Sequence, residues 1–349
     1  MRRAETAPPG LRGVRQLQGP HHRRDGPGLS DVLALLFPGQ GSQEVGMGKD
    51  LVETSSAARD VFAAADRALG FEVSRYCFEG PEEDLRRTEI QQPALLTTSI
   101  ALLRALAELG PVEPAFVAGH SLGEYSALVA SGAMDFEDAV RVVNARGRYM
   151  QEAVAEGRGA MAAVLGCSAE EVAAICARVA EETGQVVSPA NYNSPQQTVI
   201  AGDSAAVAAA CEAARENGAR RVVDLVVSAP FHCALMAPAA EKLKGEMENI
   251  FFRPPSPPVV TNVEATPNTD AARIPELLVS QVTASVRFTE MIQRLKADGV
   301  THFLEVGVGR VLSGLLARID RRSKRESLGA ASDLENARKF IAEVGGVLS

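Results

Sequence analysis

The sequence predicts an α/β fold in which buried strands alternate with helices. Short apolar runs such as 32–37 suit strands that are buried on both faces of a parallel sheet. A second strand runs into Gly119-His120-Ser121-Leu122-Gly123 and continues as a helical pattern. Between about residues 157 and 227 the order becomes βαββαβ, which is typical of a ferredoxin-like subdomain. These three observations predict a parallel-sheet core that carries a small inserted subdomain.

Composition narrows the class of protein. The 349 residues are 46% hydrophobic and 23% charged, an ordinary composition for a globular chain with a large core. The net charge is −8 although residues 1–30 hold six arginines, so the acidic remainder of the chain argues against nucleic acid as a partner of the folded body. The five cysteines form no Cys-x-x-Cys pair, which argues against a zinc site and fits a reducing, cytoplasmic location. No apolar run reaches membrane-spanning length, so we expect no membrane segment.

Residues 1–30 are rich in Pro, Gly and Arg and show no apolar periodicity, so we expect a disordered basic extension. An inert extension or an upstream start is favoured over a targeting signal, because Pro, Gly and two acidic residues do not suit an amphipathic transit helix. A basic arm that binds nucleic acid is a third alternative.

The loop after the first strand is a candidate substrate site. It reads Pro38-Gly39-Gln40-Gly41, and its glycines allow backbone N–H groups to approach a ligand closely. The amide of Gln40 is therefore a candidate oxyanion donor, with a plain strand-to-helix turn as the alternative. A phosphate-binding P-loop is excluded because Gly-Lys-Ser/Thr is missing. The next long helix is expected at 93–109, with Gln91 and Gln92 just before it.

The Gly-x-Ser-x-Gly run predicts a nucleophile elbow with Ser121 as the nucleophile. Both glycines flank a serine on a sharp strand-to-helix turn, and the helix that follows points its free N–H groups at the hydroxyl. An ordinary Gly-rich turn is the alternative, since Gly and Ser are common residues.

Arg146 falls in the apolar stripe of a helix predicted from about Asp135 to Ala155. It lies three residues after Val143 and four before Met150. A guanidinium on the core-facing side costs several kcal/mol unless an anion meets it. This cost would be offset if Arg146 paired with a carboxylate of the protein or of the substrate, or avoided if its own side chain extended outward to solvent. Beside a nucleophile elbow, the substrate carboxylate is favoured, because the guanidinium suits bidentate binding.

His232 is the candidate general base among the five histidines. It follows a Pro turn and precedes a helix, a loop setting in which catalytic groups often lie. A structural histidine is the alternative. Cys233 is a weaker candidate nucleophile, because nothing in the sequence suggests a lowered thiol pKa.

The chain returns to α/β alternation after residue 228. We predict a core formed by 31–156 and 228–322, a small subdomain at 157–227, and a tail at 323–349 with one short helix. A basic cluster near the end of the core consists of Arg318, Arg321, Arg322, Lys324 and Arg325. Such a run is usually a solvated face.

Five segments in this order resemble malonyl-CoA:acyl carrier protein transacylases. They are Phe37-Pro38-Gly39-Gln40-Gly41-Ser42-Gln43, Gly119 to Ser126, Arg146-Gly147, Phe231-His232 and Glu305-Val306-Gly307-Val308-Gly309. The resemblance runs from about Leu33 to Ile319, and the combination is far more specific than any single part. Two departures, at Val308 and at Ala284-Ser285, lie in supporting loops.

The resemblance implies an α/β-hydrolase-like core with a ferredoxin-like insert. It also implies ping-pong transfer of malonyl from malonyl-CoA to the phosphopantetheine thiol of acyl carrier protein in fatty acid biosynthesis, without a metal or cofactor of its own. Ser121 would be acylated and His232 would act as base. The amides of Gln40 and Leu122 would bind the oxyanion, and Arg146 would bind the malonyl carboxylate.

Further roles follow only from the resemblance. The backbone carbonyl of Gln281 would orient the imidazole, and the bulk of Phe231 would disfavour an α-methyl group on the substrate. Gln92, Met150 and Asn193 match positions around the pocket.

Three alternatives stay open. A serine thioesterase or hydrolase would pass the acyl group to water, and an acyltransferase of the same chemistry would serve a polyketide synthase. A docking module would use the basic cluster to hold an acidic carrier protein.

Overall fold

The computed structural model describes residues 31–344, so the predicted extension at 1–30 lies outside the described residues. The strands are β1 Leu33–Phe37, β2 Phe116–Gly119, β3 Gly159–Leu165, β4 Val187–Ser194, β5 Gln197–Asp203, β6 Arg221–Asp224, β7 Val259–Val260, β8 Pro267–Asn268, β9 His302–Val306 and β10 Lys324–Leu328. The helices are α1 Lys49–Thr54, α2 Ser56–Leu69, α3 Val73–Glu79, α4 Glu82–Leu85, α5 Thr88–Glu108, α6 Gly123–Ala130, α7 Phe136–Glu152, α8 Ala169–Thr183, α9 Ser204–Glu216, α10 Ala237–Met247, α11 Ile274–Gln281, α12 Phe288–Ala297, α13 Val311–Ile319 and α14 Leu334–Val344.

A six-stranded sheet forms the core and confirms the predicted parallel architecture. Its order is β10-β9-β1-β2-β7-β8, and every neighbouring pair is parallel except β7 with β8. Strand β1 lies inside the sheet and all five of its residues are buried, which explains its continuous apolar sequence. The loop after β1 and the turn after β2 therefore leave the same edge of the sheet side by side.

The second sheet has the predicted βαββαβ composition. Its order is β4-β5-β3-β6, all pairs are antiparallel, and helices α8 and α9 supply the crossovers. This is a ferredoxin-like arrangement with its own apolar core, which includes Val164, Ile175 and Val207. A single bridge between Asn191 and Val286 joins strand β4 to the segment before α12.

The segment 323–349, predicted as a tail with one short helix, begins with a strand of the core sheet. Strand β10 pairs in parallel with β9, and only its last two residues, Ser327 and Leu328, are buried. The polar sequence Lys-Arg-Glu-Ser-Leu suits an edge strand and carries no apolar run, which is why the pattern was missed. The predicted helix follows as α14.

Helix α5 begins five residues before Pro93, whereas the sequence predicted a start at this proline. A proline inside a helix leaves the carbonyl four residues earlier without its donor. That carbonyl belongs to Glu89, and the side-chain amide of Asn144 donates to it at 2.8 Å. Gln91 and Gln92 consequently lie in the helix and are buried, rather than in a preceding loop. Within residues 31–344, no helix combines the length and apolar character needed to span a bilayer.

Candidate active site

The turn between β2 and α6 is held by direct contacts between backbones. Ser121 has a φ of 51°, in the left-handed region that is strained for a non-glycine residue. A Cβ on Gly119 would lie 1.9 Å from the carbonyl of Gly123, and a Cβ on Gly123 would lie 2.0 Å from the carbonyl oxygen of Phe37. Both glycines are therefore required, and the turn has the geometry of a nucleophile elbow.

Ser121 and His232 form a hydrogen-bonded pair. The Oγ of Ser121 lies 2.7 Å from Nε2 of His232, and Nδ1 of the same ring lies 2.8 Å from the carbonyl oxygen of Gln281. A carbonyl only accepts, so Nδ1 carries the proton and Nε2 is free to accept from the serine hydroxyl. Burial, assisted by the charge of Arg146, lowers the pKa of His232 to about 3. The imidazole is therefore neutral at physiological pH and can take a proton.

Two backbone amides near Ser121 have free donors. Leu122 is the residue before α6, and Gln40 lies in the loop after β1. Neither amide donates to an acceptor among residues 31–344. A Cβ on Gly39 would lie 2.5 Å from the carbonyl oxygen of His120, so the loop and the elbow are in backbone contact. The arrangement suits an oxyanion that forms between the two amides.

Arg146 is buried, with 1% of its surface exposed, as the stripe on α7 predicted. Its Nη1 donates to Oε1 of Gln92 at 2.8 Å, and its Nη2 donates to Oε1 of Gln281 at 2.9 Å and to Oγ of Ser121 at 3.2 Å. Within the described range, Nε has no partner and no carboxylate forms an ion pair with the guanidinium. Burial lowers its pKa from the ordinary value. A cation with only neutral partners therefore lies beside Ser121.

The remaining predicted pocket residues occupy three different places around the site. Gln92 lies between Arg146 and Met150, whose Sδ is 3.9 Å from Nε2 of Gln92. Asn193 is one step further away, because its Oδ1 is 2.8 Å from Nε2 of His120. Phe231 is buried in the main hydrophobic cluster immediately before His232.

Cys233 has no feature of a nucleophile. Its Sγ donates to the carbonyl of Pro230 at 3.1 Å, and burial raises its pKa to about 11. Within residues 31–344, no three His, Cys, Asp or Glu side chains are grouped as metal ligands would be.

Sequence reasoning missed Asn262 and Glu124. Asn262 accepts from the amide of Ser121 at 2.7 Å and donates from Nδ2 to the carbonyl of Gly119 at 2.6 Å. Glu124 accepts from Nε2 of Gln281 at 2.7 Å and from the amide of Asn262 at 3.2 Å. The available signals were a polar residue shortly after β7 and a single acidic residue in helix α6, which is otherwise uncharged.

The basic cluster separates into two parts. Arg318 and Arg321 line a cavity together with Arg220 and the turn 194–196, and the three arginines are exposed. We call this cavity the arginine cleft. Lys324 lies on β10, where its Nζ is 3.8 Å from a carboxylate oxygen of Glu343. The cleft is joined to the site through β4, because Ser194 follows Asn193, which contacts His120.

The class of protein follows from the match of residues 34–329 to a family model described as the acyl transferase domain. The chain is 49% identical over 311 residues to a malonyl CoA-acyl carrier protein transacylase of Bacillus subtilis, covering 89% of this chain and 98% of the relative. The solved malonyl CoA-acyl carrier protein transacylase of Coxiella burnetii superimposes with a TM-score of 0.87 at 41% identity, covering 90% of this chain and 98% of that one. A malonyl-transacylase in complex with a type II PKS acyl-carrier protein gives a TM-score of 0.86 at 44% identity, over 88% and 99% of the chains.

These similarities extend over nearly the full length of the relatives. The chain belongs to the malonyl CoA-acyl carrier protein transacylase family.

Proposed function

We propose that the protein moves a malonyl group from malonyl-CoA to the phosphopantetheine thiol of acyl carrier protein through a malonyl ester on Ser121. One observation carries the choice of acyl group: the buried guanidinium of Arg146 lies 3.2 Å from the nucleophilic Oγ. A fixed cation at this distance suits an acyl group that bears a carboxylate. The names of the relatives, which specify malonyl CoA and acyl carrier protein, support the same substrates.

In the first half-reaction the serine is acylated. Nε2 of His232 takes the proton from Ser121 as Oγ attacks the thioester carbonyl. The oxyanion accepts from the amides of Gln40 and Leu122, and each such donor lowers the barrier by about 3 kcal/mol. The C–S bond then breaks, and the CoA sulfur takes the proton held by the imidazole. The carbonyl of Gln281, 2.8 Å from Nδ1, keeps the ring oriented through both transfers.

In the second half-reaction the same groups work in reverse. The carrier thiol gives its proton to His232 and its sulfur attacks the ester carbonyl of malonyl-Ser121. The C–Oγ bond breaks, and the serine recovers the proton. Nucleophile, base and oxyanion donors all come from the chain itself, so these steps require no metal or cofactor.

Two features bear on the choice of acyl group. Arg146 would bind the malonyl carboxylate by Nη2 and the free Nε, while Gln92 holds Nη1 and Met150 packs behind Gln92. Phe231, immediately before the base, would restrict room for an α-methyl substituent.

We propose that the carrier protein docks at the arginine cleft. Its three arginines are exposed, so an acidic partner can reach them without a desolvation cost, and long-range attraction would steer the encounter. The hydrogen bond between Asn193 and His120 connects the end of the cleft to the turn that carries Ser121. Arg322, Lys324 and Arg325, the other members of the basic cluster, do not line this cavity.

Fatty acid synthesis is the proposed pathway, with polyketide synthesis as the second candidate. The second candidate is favoured by one observation, the similarity to a transacylase in complex with a type II PKS acyl-carrier protein. Comparison of transfer rates to one carrier protein of each type distinguishes them. We propose a cytoplasmic location, which suits the five buried thiols.

The test is intact-mass measurement after brief exposure to malonyl-CoA. We expect the mass of one malonyl group on the wild-type protein and none on Ser121→Ala, and peptide mapping should locate it on Ser121. Addition of holo carrier protein should discharge the ester and malonylate the carrier. A thioesterase would instead release CoA continuously without an acceptor, which would contradict the proposal.

A further inference from the structure

Gln281 connects the base and the arginine through different parts of one residue. Its backbone carbonyl accepts from Nδ1 of His232 at 2.8 Å, whereas its side-chain Oε1 accepts from Nη2 of Arg146 at 2.9 Å. The carbonyl is held by the backbone at the end of α11, but the side-chain amide is free to rotate unless other groups fix it. The position of the guanidinium therefore depends on what holds this amide.

A reversed amide would present an NH₂ group to the guanidinium, so donor would face donor. The observed orientation directs Nε2 toward the carbonyl oxygen of Ser121 at 2.9 Å and toward Oε2 of Glu124 at 2.7 Å. Nε2 also lies 3.4 Å from Oδ1 of Asn262, so its two N–H donors face three oxygen acceptors. The bond to Glu124 is the shortest of the three, and a carboxylate acceptor makes it the strongest.

Glu124 can hold this amide because it is itself buried and hydrogen-bonded. It is 2% exposed, lies in the first turn of α6 three residues after the nucleophile, and accepts a second bond from the amide of Asn262 at 3.2 Å. Burial raises its pKa to about 7, while the bonds from Gln281 and Asn262 and the charge of Arg146 oppose this rise. The direct partners of Arg146 are neutral, but the side-chain amide of Gln281 connects Arg146 to the carboxylate of Glu124.

We propose that Glu124 is a positioning residue, which fixes the Gln281 side-chain amide and thereby aligns Arg146 for the carboxylate of the acyl group. The inference rests on the proposed function. The hydrogen bonds between Ser121 and His232 and between His232 and the Gln281 carbonyl do not involve the side-chain amide, so we expect the pair to stay together when the amide is released. Loss of Glu124 is therefore expected to impair malonyl transfer and to spare acetyl transfer, which does not use Arg146.

The experiment compares acylation of Ser121 by malonyl-CoA and acetyl-CoA in Glu124→Leu and Glu124→Gln. In Glu124→Leu we expect about a tenfold rise in KM for malonyl-CoA, with kcat/KM for acetyl-CoA changed less than about threefold. Glu124→Gln keeps an acceptor oxygen for Gln281 and should restore malonyl acylation to within about threefold of wild type. Equal losses for both acyl groups, or no rescue by Gln, would show a merely structural role and overturn the proposal.

Two further variants keep the test decisive if Glu124→Leu does not fold. Glu124→Asp keeps the charge, but its shorter side chain moves the carboxylate away from Gln281. Like Glu124→Leu, it should lose selectivity for malonyl over acetyl. Gln281→Leu, made alone and together with Glu124→Asp, completes a double-mutant cycle. If Glu124 acts through Gln281, the double variant should be as selective for malonyl over acetyl as Gln281→Leu alone. Additive losses would contradict action through Gln281. Absence of any malonyl ester on the wild-type protein would instead contradict the proposed function.

Discussion

Arg146 and the arginine cleft use the same side chain in opposite surroundings. Arg146 is 1% exposed, and its hydrogen bonds go to neutral oxygens of Gln92, Gln281 and Ser121. Arg318 and Arg321 are exposed, and Nη1 of Arg318 donates to the side chain of Gln197 at 2.6 Å. The buried cation has lost its water, whereas the exposed ones retain theirs.

The difference in solvation separates two kinds of recognition. The guanidinium of Arg146 is shielded from bulk solvent, so its attraction to a bound anion is weakly screened. The contact is strong only if the anion is placed so that its hydrogen bonds with the guanidinium offset the desolvation of both groups. An acidic surface that approaches the cleft exchanges one set of hydrated ions for another, and salt screens the attraction. We therefore expect Arg146 to decide which acyl group is accepted and the cleft to affect how fast a carrier protein arrives.

The largest effect is expected for Arg146→Ala. Malonyl acylation of Ser121 should fall about 100-fold in kcat/KM, because charged hydrogen bonds in a buried site contribute about 1.5–3 kcal/mol each. Acetyl acylation should persist or rise, since acetyl carries no carboxylate. The measurement is the ratio of the two rates by intact mass.

Arg148→Ala is the matched control, because Arg148 lies on the same helix and is exposed. It should leave the ratio unchanged. If malonyl and acetyl rates fell equally in Arg146→Ala, the guanidinium would not be the carboxylate site, and the contrast between the two regions would disappear.

The second effect concerns the pKa of His232. The folded pKa of about 3 lies below the ordinary 6.5, so this group contributes stability above pH 6.5 that is lost as the pH falls toward 3. An NMR titration should find the imidazole neutral at pH 5. Removing the buried charge in Arg146→Ala should raise this pKa, whereas charge changes in the exposed cleft should not.

A His232 pKa near 6.5 in the wild-type protein would show that water reaches the ring. The acid limb of the pH–rate profile provides an independent reading, because a neutral base down to pH 5 predicts no loss of acylation at pH 6 from this residue.

The smallest effect is expected in the arginine cleft. Arg220→Glu with Arg321→Glu should lower kcat/KM for the carrier protein by about threefold to tenfold at low salt, and the loss should shrink as salt is added. Acylation by malonyl-CoA alone should be unchanged. Arg59→Glu with Arg67→Glu, two exposed charges on α2, is the control with the same change in net charge. If kcat/KM for the carrier protein changed neither with salt nor with these substitutions, the arginine cleft would not be the docking surface of the carrier protein.

Local sequence was sufficient to predict the parts of the site that depend on neighbours in the chain. The elbow follows from glycines two residues on either side of Ser121, and the burial of Arg146 follows from its place on a helix of known period. The loop after β1 made Gln40 a candidate oxyanion donor with a plain turn as the alternative, and the resemblance to a known family favoured the oxyanion role. The role of Gln281 followed only from that resemblance.

Contacts between distant segments could not be predicted in this way. Glu124 contacts Asn262, 138 residues away, and Gln281, 157 residues away, and nothing near it in the sequence reports these contacts. Strand β10 is an edge strand with a polar sequence, so it lacks the apolar run by which β1 was found. The early start of α5 depends on Asn144, which supplies the donor that Pro93 lacks.

Direct contact between main chains at the elbow has a consequence for sequence divergence. The carbonyl of Phe37 faces Gly123, and Gly39 faces the carbonyl of His120, so the loop of Gln40 and the turn of Leu122 meet through main-chain atoms. The spacing of these two amides is consequently set by backbone thickness. Core side chains can be exchanged during evolution without altering it, provided that the glycines are kept.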